Sequence, residues 1–128
     1  MQRARPKLPK VSEEMKAWSA ALAAETTGWP HVRTRSFFGF TALYRKDTIF
    51  AILPRTRGMG TPNTLAFKLE SRAPQLRSRL QQDARVGATQ MRAARWSTFE
   101  LAEDADLHDA LEWLARAYET AGANKTTR

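Results

Sequence analysis

Hydrophobic residues near the start of the chain recur at the spacing of one helix face. Met15, Trp18 and Leu22 lie three or four residues apart, and Ser12 precedes them as a typical N-cap. Two glutamates follow Ser12, where carboxylates favour the positive end of the helix dipole. The pattern predicts a first helix over about 13 to 25.

Between residues 31 and 70, β-branched and aromatic residues alternate with polar ones and are broken by turn signals, which is typical of strands. The pattern predicts four strands, at about 31 to 38, 40 to 45, 48 to 53 and 64 to 70. Lys46 and Asp47 form a tight turn between the second and third strands, and a long loop over 54 to 63 follows. The last strand alternates apolar with polar or small residues, which predicts a sheet covered on one side.

The last third of the chain predicts a short helix over 74 to 82, a strand over 96 to 101 and a closing helix. Asp104 is the expected cap of the closing helix, which ends near Gly122. Its first turn and its apolar face are marked by Asp106, Asp109, Leu107, Leu111, Leu114 and Tyr118. Residues 83 to 94 give no clear pattern.

These elements predict an α+β fold. We expect a two-layer sandwich, an antiparallel β-sheet packed against N- and C-terminal helices, in the order helix, β-meander, short helix, strand, helix. With 128 residues, 42% of them hydrophobic, the chain can bury one core. We expect a single domain over 12 to 122, between a flexible basic tail over 1 to 11 and a flexible tail over 123 to 128.

The composition excludes several classes of chemistry. Without cysteine the chain forms no disulfide, thiolate metal site, iron–sulfur cluster or cysteine nucleophile. No apolar run approaches the roughly 20 residues that span a bilayer, and the first residues lack the apolar core of a secretory signal. The expected location is cytoplasmic, with no membrane partner.

The charge is strongly basic and unevenly placed. The net charge of +8 divides into +12 over residues 1 to 95, from eighteen cations and six anions, and −4 over 96 to 128, from three and seven. Such a basic region favours a polyanion such as DNA, or an acidic protein partner.

Six cations in the strand-rich region are the candidate nucleic-acid-binding residues. Two share a face of the first strand by alternation, two occupy the tight turn and two lie in the long loop, namely Arg33, Arg35, Arg45, Lys46, Arg55 and Arg57. We expect them to form a strip along the sheet edge that contacts phosphates.

The other aromatic and basic residues of this region have less specific interpretations. The aromatic residues nearby can stack on bases or fill the core, and a domain of this size needs most of them inside, namely Phe37, Phe38, Phe40, Tyr44 and Phe50. A second group of basic candidates flanks and follows the short helix, namely Arg72, Arg77, Arg79, Arg85, Arg92 and Arg95. For any single arginine of either group, a solvated surface charge is the favoured interpretation.

No catalytic or metal-binding motif is present. His31 and His108 lack a second ligand at metal spacing, and the acidic residues over 100 to 109 lack the pattern of a calcium loop. The glycines near Arg57 match neither common phosphate-binding loop. We therefore expect no catalytic residues, no metal and no cofactor.

Several runs resemble a known family. Phe38 to Tyr44, Ile49 to Leu53 and Leu65 to Lys68 resemble the N-terminal domain of the TfoX competence regulators. The strand from Arg95 to Leu101, with the capped helix after it, is similar to the related YjbR (MmcQ) family. The resemblance implies a two-layer α+β domain of the bacterial TfoX/YjbR type, similar to the frataxin-like architecture of YjbR proteins. It also implies a link to DNA through competence regulation and DNA binding, without a catalytic motif.

Three functional hypotheses follow. The first is a non-enzymatic nucleic-acid-binding or regulatory domain that acts through its basic surface. The alternative is a protein–protein interaction module that binds an acidic partner or self-associates through the sheet edge. The third is a small-molecule binder or enzyme with the loop from Gly58 to Gly60 as a lid.

Overall fold

A computed structural model of the chain describes residues 10–58, 61–70, 74–88 and 95–125. Its helices are α1 (Glu13–Thr26), α2 (Pro74–Gln82) and α3 (Asp106–Lys125). Its strands are β1 (Val32–Phe37), β2 (Phe40–Arg45), β3 (Thr48–Pro54), β4 (Thr64–Lys68), β5 (Val86–Ala88) and β6 (Trp96–Glu100).

The six strands form one antiparallel sheet in the order β1-β2-β3-β4-β6-β5. The first four strands are a meander. The chain then passes through α2 to β5 at the far edge and returns through β6, between β5 and β4. The predicted α+β fold, with helices first and last on an antiparallel sheet, is confirmed.

Two tight turns set the register of the first three strands. Phe37 pairs with Phe40, so that Phe38 and Gly39 alone form the β1–β2 turn, with φ angles of 47° and 87°. Two consecutive positive φ angles are the signature of a type I′ turn, whose twist matches that of the flanking strands. The predicted turn at Lys46 and Asp47 joins β2 to β3, and Lys46 has a φ of 55°.

One face of the sheet, the covered face, carries all three helices. Its core joins Met15 and Leu22 of α1 to Phe67 of β4 and Leu114 of α3, and each of these side chains is at most 2% exposed. The partly buried Leu76 and the buried Leu80 bring α2 onto the same core. Periodic burial of this kind holds the helices to the sheet, since a buried Leu or Phe contributes about 1.5–3 kcal/mol relative to its exposed state.

The opposite face, the open face, has a smaller cluster formed by Phe40, Ile52, Ala66 and Trp96, one from each of the four central strands. In the described part of the chain, no helix contributes a residue to this cluster. Antiparallel partners share a face, so the register extends the open face to β1 at the sheet edge.

Several details differ from the sequence-based expectation. β5 was not predicted, because its three residues are too few to show a pattern. The closing helix continues past Gly122 to Lys125. The Asp104 carboxylate accepts a hydrogen bond from the Trp18 indole at 2.7 Å, while Asp106 accepts the backbone N–H groups of Ala102 and Glu103.

The start of the domain also differs from the predicted tail. Residues 1 to 9 lie outside the described ranges, but Val11 is buried in the core and its N–H donates to the Thr56 carbonyl at 3.3 Å. Lys10 forms an antiparallel bridge with Arg57. The body of the domain therefore already includes Lys10.

The arginine that follows α2 ties three segments together. The Arg85 guanidinium bonds Asp83 at 2.9 Å, Asp106 at 2.8 Å and Asp109 at 2.9 Å, and it lies 4.9 Å from the centroid of the Phe99 ring. This Arg85 cluster joins the α2–β5 connection to the first turn of α3. The sequence had placed Arg85 among solvated surface charges, because partners 21 and 24 residues away leave no local signal.

The cluster shifts the proton affinity of its members. Burial acts to raise the pKa of Asp83, but hydrogen bonds from Arg85 and from the Trp113 indole hold that pKa below 3.8. The Ala102 N–H contributes most to lowering the pKa of Asp106, with Arg85 and the Glu103 N–H adding to it against burial. Both carboxylates are therefore ionised in the folded chain at neutral pH.

We expect Arg85→Leu to lower the free energy of unfolding by about 2–3 kcal/mol at pH 7, because it leaves three carboxylates without their cationic partner. The pKa values of Asp83 and Asp106 lie below 3.8, so the cluster stabilises the fold fully above about pH 5. This contribution is lost as the pH falls through 3.8 and below. Urea unfolding at pH 7 and pH 3 should show the gap between the variant and the parent protein closing in acid. An equal gap at both pH values, or the same loss in the exposed control Arg79→Leu, would contradict this account.

Candidate nucleic-acid interface

Two of the six predicted cations lie on the open face of the edge strand. Arg33 is opposite Tyr44 and Arg35 is opposite Ala42 in the β1–β2 pairing, and both arginines are exposed. The Arg33 guanidinium lies 3.6 Å from the Asp47 carboxylate, with the two side chains 71% and 84% exposed. A surface pair of this kind contributes little and leaves Arg33 available to a stronger anion.

Lys46 extends the same surface at the β2–β3 turn. Its side chain is exposed and, with Arg33, Arg35 and the half-buried Tyr44, it lines a shallow groove of about 420 Å³ on the sheet. Asp47 is the one carboxylate among the lining residues. The groove is therefore an open, mainly cationic channel with an aromatic wall.

Arg55 and Arg57 lie at the other end of β1, where they are held by a single backbone oxygen. The Gly39 carbonyl accepts hydrogen bonds from the N–H groups of Arg55, Thr56 and Arg57 at 3.0, 2.9 and 3.3 Å. Glycine is required at this position, since φ is 87° and an added Cβ would lie 2.7 Å from the Arg57 Cγ. The loop that follows β3 is thus attached to the β1–β2 turn.

Arg45 is the exception among the six. It lies on the covered face, where its Nη1 donates to the Tyr118 carbonyl at 3.1 Å and its guanidinium lies 4.2 Å from the Tyr118 ring centroid. Gly122 of α3 leaves room for the guanidinium, which a Cβ at that position would clash with. Arg45 therefore holds α3 against the sheet and points away from the other five cations.

The structure places those five on the edge strand β1 and at its two ends, with Arg55 and Arg57 reaching the β1–β2 turn from the end of β3. We call them the basic strip, namely Arg33, Arg35, Lys46, Arg55 and Arg57. Among the described residues, Arg33 is the one member with a carboxylate within salt-bridge distance. Exposed Lys10 adds a further cation beside Arg57.

Two exposed phenylalanines project between the arginines of the strip. Phe37 is 46% exposed and Phe38 is 85% exposed, and their ring centroids lie 5.0 Å apart at an interplanar angle of 60°. We call this pair the aromatic tip. Phe40 and Phe50 fill the interior as expected, but these two rings do not.

A sequence signal for the aromatic tip does exist. The predicted strands over 31 to 38 and 40 to 45 leave only Gly39 between them, whereas the tightest common hairpin turn has two residues, so one of the flanking phenylalanines has to leave its strand and join the turn. A bulky residue in the left-handed region is uncommon, and strain of this kind concentrates at binding sites.

Other clusters of polar residues have simpler explanations. His108, Asp109 and Glu112 offer ligand atoms within 4.8 Å of one another, but Asp109 is paired with Arg85, and His108 lies 3.3 Å from Glu112 across one helical turn. The proposed lid starts at Gly58, which is buried against the backbone of Thr61 and Pro62, while residues 59 and 60 lie outside the described ranges.

The comparisons with known proteins identify no function for the chain. No family model, curated protein or solved structure matches the chain. Among the described residues, no helix combines the length and the apolar character needed to cross a bilayer.

We expect Phe38→Asn to raise the free energy of unfolding by about 0.5–1 kcal/mol, because asparagine tolerates a φ of 47° and little burial is lost at an exposed ring. Thermal and urea unfolding measure the change. Phe37→Asn is the matched control, since it removes a neighbouring ring from strand β1, where no positive φ is relieved. Equal destabilisation by both substitutions would show that Phe38 is not strained.

Proposed function

We propose that the chain is a non-enzymatic nucleic-acid-binding domain with a regulatory role, and that the basic strip contacts phosphates. The observation that carries this proposal is the collection of five exposed cations along β1 and its two ends, with one exposed carboxylate partner among the described residues. Cations in such a row gain free energy by releasing the counterions of a polyanion.

The distribution of charge across the sheet supports the same proposal. Exposed Glu100, Glu103 and Asp104 lie at or after the end of β6, which is separated from β1 by β2, β3 and β4. Four strand spacings place them about 19 Å from Arg33 and Arg35 of β1, and two spacings place them about 10 Å from the end of β3, which Arg55 and Arg57 follow. These carboxylates therefore lie away from the β1 edge, and the field around Arg33 and Arg35 favours an approaching polyanion.

The family resemblance adds the regulatory part of the proposal. The TfoX-like and YjbR-like runs lie in β2, β3, β4 and β6, and the observed order of elements fits the α+β domain that the resemblance implies. TfoX proteins act in competence regulation and YjbR proteins are described as DNA binders, and we propose a regulatory, DNA-linked role for this chain on that resemblance.

We expect the variant with Arg33, Arg35, Arg55 and Arg57 all changed to Gln to bind labelled DNA at least about tenfold more weakly at low salt. The parent protein should bind non-specifically with a Kd of about 10⁻⁴ to 10⁻⁶ M at physiological salt. The slope of log K against log salt should fall by about 0.7–0.9 for each phosphate that the variant no longer neutralises. Fluorescence anisotropy across a salt series measures both quantities.

The control for this experiment is Arg77→Gln with Arg79→Gln, which removes two exposed charges from α2 on the covered side of the sheet. The α2 control should retain the parent salt slope. An unchanged slope in the quadruple variant, or an equal loss in the control, would contradict the assignment of the basic strip.

A second candidate function is self-association, or binding of an acidic protein partner, through the edge of β1. The observation in its favour is that, within the described ranges, β1 pairs with β2 alone, and that β1 ends at the apolar aromatic tip. Arg33 and Arg35 weigh against pairing of two copies, since antiparallel β1 edges would bring like charges together.

Light scattering over a range of concentrations distinguishes the two candidates. The nucleic-acid proposal predicts a constant mass of 14.5 kDa in the absence of ligand. A mass that doubles with concentration, and returns to the monomer value when Thr34 of β1 is replaced by Pro, would favour strand pairing instead.

A further inference from the structure

We infer that the basic strip and the aromatic tip bind single-stranded nucleic acid, with bases stacked on Phe37 and Phe38, in preference to duplex. This inference rests on the proposed function, because it names the class of nucleic acid that the same surface binds. Three features of the surface carry it.

The first feature is the exposure of the two rings. With Phe38 85% exposed and Phe37 46% exposed, and the planes tilted by 60°, the rings present faces in different directions. A base in a duplex is covered on both faces by its neighbours, whereas an unpaired base offers a free face for stacking. The aromatic tip therefore suits unpaired bases.

The second feature is the backbone conformation that projects the Phe38 ring. The φ of 47° places Phe38 in the left-handed region, where asparagine or glycine is more stable. The β1–β2 pairing and the three N–H groups on the Gly39 carbonyl hold the turn in this conformation. A bulky ring at a strained, solvent-exposed turn position points to contact with a ligand.

The third feature is the placement of cations on both sides of the aromatic tip. Arg35 and Arg33 lie two and four residues before Phe37 on the same face of β1, which places Arg33 roughly 13 Å along the strand. Arg55 and Arg57 reach the tip from the end of β3, where their N–H groups bond the Gly39 carbonyl, and the Arg55 guanidinium lies 3.5 Å from the Ser36 hydroxyl. An extended strand can thus stack its bases on the rings while its phosphates meet cations before and after them.

The groove next to β1 extends the binding surface beyond the bases that stack on the aromatic tip. Tyr44 lies opposite Arg33 in the sheet and lines the groove of about 420 Å³ with Arg33, Arg35 and Lys46. A half-buried ring between cations offers a further stacking surface. This linear arrangement of cations and rings matches a polymer that carries a phosphate and a base at every repeat.

The test compares three ligands with the full chain. A labelled 15-nucleotide oligothymidine, its duplex with oligodeoxyadenosine and vesicles of phosphatidylserine in phosphatidylcholine are titrated at two salt concentrations. We expect the single strand to bind at least about fivefold more tightly than the duplex. No binding to the vesicles is expected at physiological salt.

The diagnostic variant combines Phe37→Ser with Phe38→Asn. We expect its affinity for oligothymidine to fall at least about fivefold, with the salt slope retained, because stacking is removed and the cations that meet the phosphates remain. Circular dichroism and thermal unfolding confirm that the variant is folded. The α2 control, Arg77→Gln with Arg79→Gln, should keep the parent preference for the single strand.

The possible outcomes separate the inference from the proposed function. Equal binding of single strand and duplex, with no effect of the phenylalanine variant, overturns the inference and leaves nucleic-acid binding in place. Binding of vesicles but of neither oligonucleotide overturns both in favour of a lipid surface. If none of the three ligands binds, both are wrong.

Discussion

The alternation of side chains across the central strands is the constraint on which the rest of the molecule depends. Phe67 of β4 points to the helices and is fully buried, while Ala66 beside it belongs to the cluster on the open face. A shift of one residue would exchange the two faces, so burial of the large core fixes the register of every neighbouring strand. Through that register, β1 presents Arg33, Arg35 and Phe37 on the open face at the edge of the sheet.

The β1–β2 turn converts this register into a surface that combines charge and aromatic rings. The Gly39 carbonyl accepts hydrogen bonds from the N–H groups of Arg55, Thr56 and Arg57. Residues that are distant in sequence therefore meet at the corner of the sheet where β1 ends. The same turn forces Phe38 into a left-handed conformation and into solvent. The stability lost there is small against a core of this size, and the ring it exposes is the part of the surface that we infer stacks on a base.

The sequence predicts most of the fold, because periodicity reports which side of each element is buried. α1, α3, the four-strand meander and the Lys46 turn all follow from local pattern. Long-range contacts leave no such signal. Arg85 bonds Asp106 and Asp109, which lie 21 and 24 residues away in sequence, and Arg45 bonds the Tyr118 carbonyl, 73 residues away. Sequence position alone could therefore not separate these two structural arginines from the exposed ones. Composition predicted that most aromatic residues, including Phe37 and Phe38, would be buried. Their exposure results instead from the two-residue β1–β2 turn.

The most direct test of the account is to locate the ligand on the protein. Titration of a short oligothymidine into ¹⁵N-labelled protein should shift the amide resonances of Arg33 to Phe40 and of Arg55 to Arg57, and leave those of α2 and α3 unchanged. Shifts concentrated instead around α2 and α3, or no shifts at a large excess of oligothymidine, would contradict the claim that this corner of the sheet binds single-stranded nucleic acid.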